Sequence, residues 1–137
     1  MEWRGFAIML LFLTSASVPT STIILTDNLL DKESVDTFDC ENKIYLYIGW
    51  NNLKDGRHAV EAYWYNPQGR QQEYTSYHFE APVKDTWLWL ALYGEGENRG
   101  IKVVGPKIVY KDFIGRWKVD VYLDNNLLTT KEFTVRC

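Results

Sequence analysis

The sequence predicts one all-β domain, a sandwich or barrel, on three observations. From residue 43 onward apolar and polar side chains alternate with period two, and no segment sustains helical spacing. Gly, Pro and Asn turn signals punctuate these runs at spacings of about 8–12 residues, which suits packed short strands and not βαβ units. Finally, 46% of the 137 residues are apolar and 15% are aromatic, enough to fill a core and to exclude disorder by composition.

Taken in order, residues 1–17 read as an export signal. Arg4 and the amino terminus supply positive charge. Residues 6–13 are uninterruptedly apolar, and Ser15, Ala16 and Ser17 suit a signal peptidase. Cleavage is expected after Ala16 or Ser17. The alternative, an uncleaved anchor, falls far short of the roughly 20 apolar residues that span a bilayer. No later segment is apolar enough to cross a membrane, so the expected location is periplasmic or extracellular. Residues 18–42 form an N-terminal segment with a short edge strand at 22–26 and an acidic loop at 27–41. Residues 43–137 form the β core.

Within that core, residues 43–50 place Ile44, Leu46, Ile48 and Trp50 on one face and Tyr45 and Tyr47 on the other. Residues 57–65 alternate Val60, Ala62 and Trp64 against Glu61, Tyr63 and Tyr65. The turn Asn66-Pro67-Gln68-Gly69 combines a fixed φ with a residue free to take positive φ. Residues 70–80 are more polar and read as an edge strand, stopped by Ala81-Pro82. In residues 86–93, Leu88, Leu90 and Leu92 oppose Trp87, Trp89 and Tyr93. Residues 101–110 contain a short strand broken at Gly105-Pro106. The closing hairpin runs 115–124 and 127–135 around Asp124-Asn125-Asn126, giving seven or eight strands in all.

That closing hairpin carries a resemblance. Gly115-Arg116-Trp117-Lys118-Val119-Asp120-Val121-Tyr122, the Asp124-Asn125 turn and Phe133-Thr134-Val135 resemble the last two strands of immunoglobulin-like domains of small bacterial exported proteins. Trp64-Tyr65-Asn66-Pro67-Gln68-Gly69 is similar to their central hairpin turn. The resemblance covers about a quarter of the chain and implies a sandwich of two antiparallel sheets. It says almost nothing of function, because this scaffold hosts many activities. In antibody-type domains a disulfide joins two mid-sandwich strands. Here the second cysteine is the last residue.

Cys40 and Cys137 are the two cysteines, and in an oxidising compartment an even count favours a disulfide. Cys40 precedes the first strong strand and Cys137 ends the last, so antiparallel neighbours would bring the sulfurs to one end. Two free thiols, or an intermolecular bridge through the terminal Cys137, are the alternatives.

The chemistry-bearing residues are sparse. Fifteen Lys and Arg against 18 Asp and Glu give a net charge of −3, which lacks the basic excess of a nucleic-acid binder. His58 and His78 lie near a turn and on the polar strand, with no nucleophile motif beside them. The acidic stretch 27–41 lacks the alternating ligands and central Gly of a calcium loop. Two glutamates in the Gly-rich loop 94–100 would repel a phosphate. No catalytic residue, cofactor or metal site is therefore expected.

One arrangement points to binding. If Leu88, Leu90 and Leu92 face the core, Trp87 and Trp89 point outward, as do Tyr45 and Tyr47 from the first strong strand. In an immunoglobulin-like sandwich those strands are neighbours, and the four rings make one external patch, the candidate ligand-binding aromatics. Against this, Trp is usually well buried, so residues 18–35 would cover the patch or the phase would be reversed. Tyr63, Tyr65 and Tyr122 form a weaker outward set on the other sheet. The expectation is a non-enzymatic extracytoplasmic binding or interaction module with a protein or glycan partner. The alternative is a carbohydrate-binding domain.

Overall fold

The structure, a computed structural model, describes residues 20–95, 103–104, 107–109 and 111–137, with side-chain surroundings for 20–92 and 111–137. The leader read over residues 1–17 and most of the Gly-rich loop lie outside the described residues. The chain is all-β. Its strands are β1 (Thr20–Thr26), β2 (Thr37–Asp39), β3 (Lys43–Asn51), β4 (Gly56–Tyr65), β5 (Gln71–Ala81), β6 (Asp85–Ala91), β7 (Tyr93–Glu95), β8 (Val103–Val104), β9 (Lys107–Val109), β10 (Gly115–Leu123) and β11 (Asn126–Arg136).

Two sheets face each other. The smaller has the order β1-β3-β6 and the larger β2-β11-β10-β4-β5, while β7-β9-β8 forms a separate three-stranded piece between β6 and β10. The chain crosses between sheets at 52–55 and again at 82–84, and closes with the β10–β11 hairpin. Strands β1, β3 and β6 take positions A, B and E of an immunoglobulin-like sandwich. Strands β11, β10, β4 and β5 take G, F, C and C′.

Alternation builds the core from both sheets. Ile44, Leu46 and Ile48 of β3, with Leu88 and Leu90 of β6, face Val60, Ala62 and Trp64 of β4 and Trp117, Val119 and Val121 of β10. Trp117 stacks on Phe133 at 5.9 Å between centroids, and Phe133 meets Phe38 and Trp64 edge-on. Both buried indoles have their polar handle satisfied. Trp117 Nε1 donates to the Phe113 carbonyl at 2.7 Å and Trp64 Nε1 to Thr75 Oγ1 at 2.9 Å.

The disulfide Cys40–Cys137 forms, with Cα atoms 5.3 Å apart, but for a different reason from the one the sequence suggested. Strands β3 and β11 lie in different sheets and never pair. Instead β2 runs parallel to β11, Val135 opposite Phe38, and the cysteines follow directly at the ends of these two strands. The acidic stretch is thus interrupted by a short strand that alternation over three residues could not announce. In the closing turn Asp124 and Asn125 take φ of 49° and 69°, the paired positive values of a tight hairpin turn. At Gly115, φ is 140° and an added Cβ would lie 3.0 Å from Pro67, so the Asn66–Gly69 turn packs directly against this strand start.

Candidate functional site

With Thr86, Leu88 and Leu90 turned inward, Asp85, Trp87 and Trp89 lie on the outer face of β6. The antiparallel register sets Tyr45 opposite Trp89 and Tyr47 opposite Trp87, so the structure brings the four candidate rings onto one face. Trp87 is 45% and Trp89 48% exposed, while Tyr45 and Tyr47 are half-buried.

Among the described residues, 20–35 leave Trp87 and Trp89 uncovered. β1 pairs edge to edge with β3, Ile24 opposite Tyr47, and sends Leu25 into the core. The following loop turns tightly: Asn28 N–H donates to Thr26 Oγ1 at 3.2 Å and Val35 N–H to the Leu25 carbonyl at 2.8 Å. It delivers Lys32 to the rim, its Nζ 5.3 Å from the Tyr47 ring centroid. At the opposite corner Lys43 Nζ is 5.8 Å from Trp89. The Tyr47 hydroxyl donates to Asp85 Oδ2 at 2.8 Å, and that bond, with partial burial and the nearby carboxylate charge, raises the phenol above its ordinary value.

The outer face of the larger sheet is also aromatic. Its outward cross-strand pairs on β10 and β4 are Lys118–Tyr65, Asp120–Tyr63 and Tyr122–Glu61. Tyr63 lies 5.0 Å from Tyr74 and 5.5 Å, edge-on, from Tyr122. The Tyr74 hydroxyl donates to Glu61, which raises the phenol. Tyr63 and Tyr65 are raised first by burial and then by Glu61 and Asp120 respectively. Sequence reasoning passed over Tyr74, because it lies on the polar edge strand and joins the cluster only through its register with Tyr63.

The histidines share an open hollow of about 400 Å³ with Arg57, Phe79 and Glu80, but it holds no Ser, Thr or Cys nucleophile. His58 Nδ1 is 2.6 Å from Asp124 Oδ2 and its Nε2 is 2.5 Å from the Lys54 carbonyl. Both partners are acceptors, and these two contacts, the Lys54 carbonyl first and then the Asp124 carboxylate, hold the imidazole above its ordinary value. Its side chain is only 10% exposed. Nothing in the sequence marks this contact, whose carboxylate lies 66 residues away. Among the described residues no group of three or more His, Cys, Asp or Glu could hold a metal ion. No helix among them is long and apolar enough to cross a membrane.

No protein-family model matches the chain, and no curated protein matches it. Solved structures do. A β-glucosidase from Listeria innocua in complex with gluconolactone aligns with TM-score 0.51 and 12% identity, over 89% of this chain and 16% of that one. A β-glucosidase from Listeria innocua with glucose aligns at 0.47 and 10%, over 87% and 16%. The CARDB domain of the PF1109 protein from Pyrococcus furiosus, in complex with di-metal ions, aligns at 0.44 and 11%, over 87% and 94%. At such identities the first of these is a likeness of fold, and this chain spans only a small part of that β-glucosidase.

Proposed function

We propose that this chain is an exported, non-enzymatic binding module that holds its partner on the outer face of the β1-β3-β6 sheet. The carrying observation is the exposed pair Trp87 and Trp89, buttressed across the register by Tyr47 and Tyr45. Large apolar rings left half in water on a continuous sheet face are uncommon unless something docks there. The leader pattern at residues 1–17 and the Cys40–Cys137 bond support export, since disulfides persist in oxidising compartments. The double engagement of His58 supports a non-catalytic role, because a ring whose two nitrogens are both held by protein acceptors has none turned to a substrate proton.

A carbohydrate ligand is the second reading. It draws on the hydrogen-bonding groups that border the rings, namely Lys43, Asp85 and the Tyr47 hydroxyl. Wild-type chain and the Trp87→Ala/Trp89→Ala variant are compared on a glycan array and in capture from extracytoplasmic extract. Capture lost in the variant supports the binding face, and glycan-array signal lost with it selects the carbohydrate reading. Undiminished capture by the variant overturns the assignment of the face.

A further inference from the structure

On the opposite side of the sandwich, we infer that the tyrosine face of the β2-β11-β10-β4-β5 sheet is a second binding site, for the ammonium group of a lysine side chain on a partner polypeptide. This does not rest on the role of the Trp87–Trp89 face. The observation is a unit repeated along one ladder. In the first outward pair of β10 and β4 the chain's own Lys118 holds its Nζ 4.8 Å from the Tyr65 ring centroid. The next two pairs, Asp120–Tyr63 and Tyr122–Glu61, again set a ring beside a charged group, but here the charge is a carboxylate. Among the described residues no Lys or Arg is placed over Tyr63 or Tyr122, and none pairs with Glu61 or Asp120.

Three of these rings and the Glu61 carboxylate border an open hollow of about 290 Å³ lined by Glu61, Tyr63, Tyr65, Gln71, Tyr122 and Asn125. Its rings and its carboxylate favour a cation. Ring faces carry negative quadrupole potential, and Tyr63 and Tyr122, packed edge-on at 5.5 Å, both line this space. Glu61 is held by the Tyr74 hydroxyl through one oxygen only, which leaves the other without a partner among the described residues. Asp120 is likewise fixed from one side, by Thr130 Oγ1 at 2.7 Å. A primary ammonium can meet a ring face and donate to a carboxylate at the same time, whereas a quaternary ammonium cannot donate. A lysine side chain fits better than arginine, because a compact ammonium needs only the one Glu61 oxygen that Tyr74 leaves, whereas a guanidinium fork is matched to two.

Amide NMR titration of the full chain with Nα-acetyl-lysine methylamide tests the inference, with the Nε-acetyl and Nε-trimethyl forms as controls. The lysine probe should shift amides around Glu61, Tyr63, Tyr122 and Asn125, and the neutral Nε-acetyl form should not. Glu61→Gln should weaken binding about fivefold. Lys118→Gln should strengthen it, by removing a competing charge, and this surface change serves where the first variant fails to fold. Absent or scattered shifts, equal shifts from the neutral probe, or weaker binding by Lys118→Gln would overturn the site. Tighter binding of the trimethyl form would overturn its assignment to lysine.

Discussion

The two outer faces of the sandwich are both paved with aromatic rings, yet the charges around those rings differ in sign. On β3 and β6 the rim is partly cationic, with Lys32 over Tyr47 and Lys43 over Trp89, while Asp85 is tied to the Tyr47 hydroxyl. On β4 and β10 carboxylates stand between the rings, and only the Tyr65 end carries an ammonium. The smaller face offers indole beside phenol, and the larger phenol alone. Strand alternation explains why half the side chains point out, but not why they are aromatic, nor why their charges diverge. The core would form as well with threonine at most of these positions. What the outer faces share is stacking area, and what separates them is the charge a ligand would meet.

The largest expected effect concerns the end of the larger sheet where β2 is pinned to β11. Replacing both Cys40 and Cys137 by Ser opens a loop closed across 97 residues, which should cost about 4–5 kcal/mol by chain entropy. Denaturant unfolding of the variant measures it, and an unchanged midpoint would show that β2 holds its place without the bond. Next comes the phase of the tryptophans. Trp117→Ala empties the shared core beside Phe133 and should cost about 3–5 kcal/mol.

A smaller effect belongs to the hairpin tip. Asp124 Oδ2 accepts from His58, Asp124 Oδ1 from the Ala59 N–H, and the Asp124 N–H returns a bond to the Ala59 carbonyl. The facing charged groups are Asp124 itself and, around the adjoining hollow, Arg57, His78 and Glu80. The Lys54 carbonyl, then the Asp124 carboxylate, raise the His58 value above 6.5, against a smaller lowering by burial. Because the folded value is the higher one, this stabilisation is complete below about 6.5 and fades as pH rises through the folded value. Unfolding free energy should therefore decline across that window in the wild type and flatten in His58→Gln. Asp124→Asn keeps a residue that tolerates positive φ, and should cost about 1–2 kcal/mol.

How much of this was legible in the sequence depends on whether the information is local. Alternation fixed which residues of β3, β4, β6 and β10 face inward, because a strand reports its own phase, and hairpin chemistry placed the Asp124-Asn125 turn. The joining of Tyr45 to Trp89 needed only the neighbourhood of β3 and β6, which the immunoglobulin-like resemblance supplied. The parallel β2–β11 pairing, the His58–Asp124 contact and the recruitment of Tyr74 to Tyr63 depend on register between distant segments, which no single strand encodes. Even the disulfide, expected from the cysteine count, rests on a strand that the acidic loop concealed.

The smallest expected effect is the one that bears most on function. Trp87→Ala and Trp89→Ala remove rings that are nearly half in water already, and each loses mainly its cross-strand contact with Tyr47 or Tyr45. Such contacts are worth about 0.2–1 kcal/mol, so each variant should unfold within about 1 kcal/mol of the wild type. Urea titration beside Trp117→Ala makes the comparison internal, one residue type in two phases. Losses for Trp87 or Trp89 as large as for Trp117 would mean that the smaller face is packed against part of the chain and is no docking surface. A small loss in stability accompanied by a complete loss of capture would instead separate folding from binding at the same two residues. Indoles conserving so little of the fold's free energy would then owe their place on β6 to what they touch outside it.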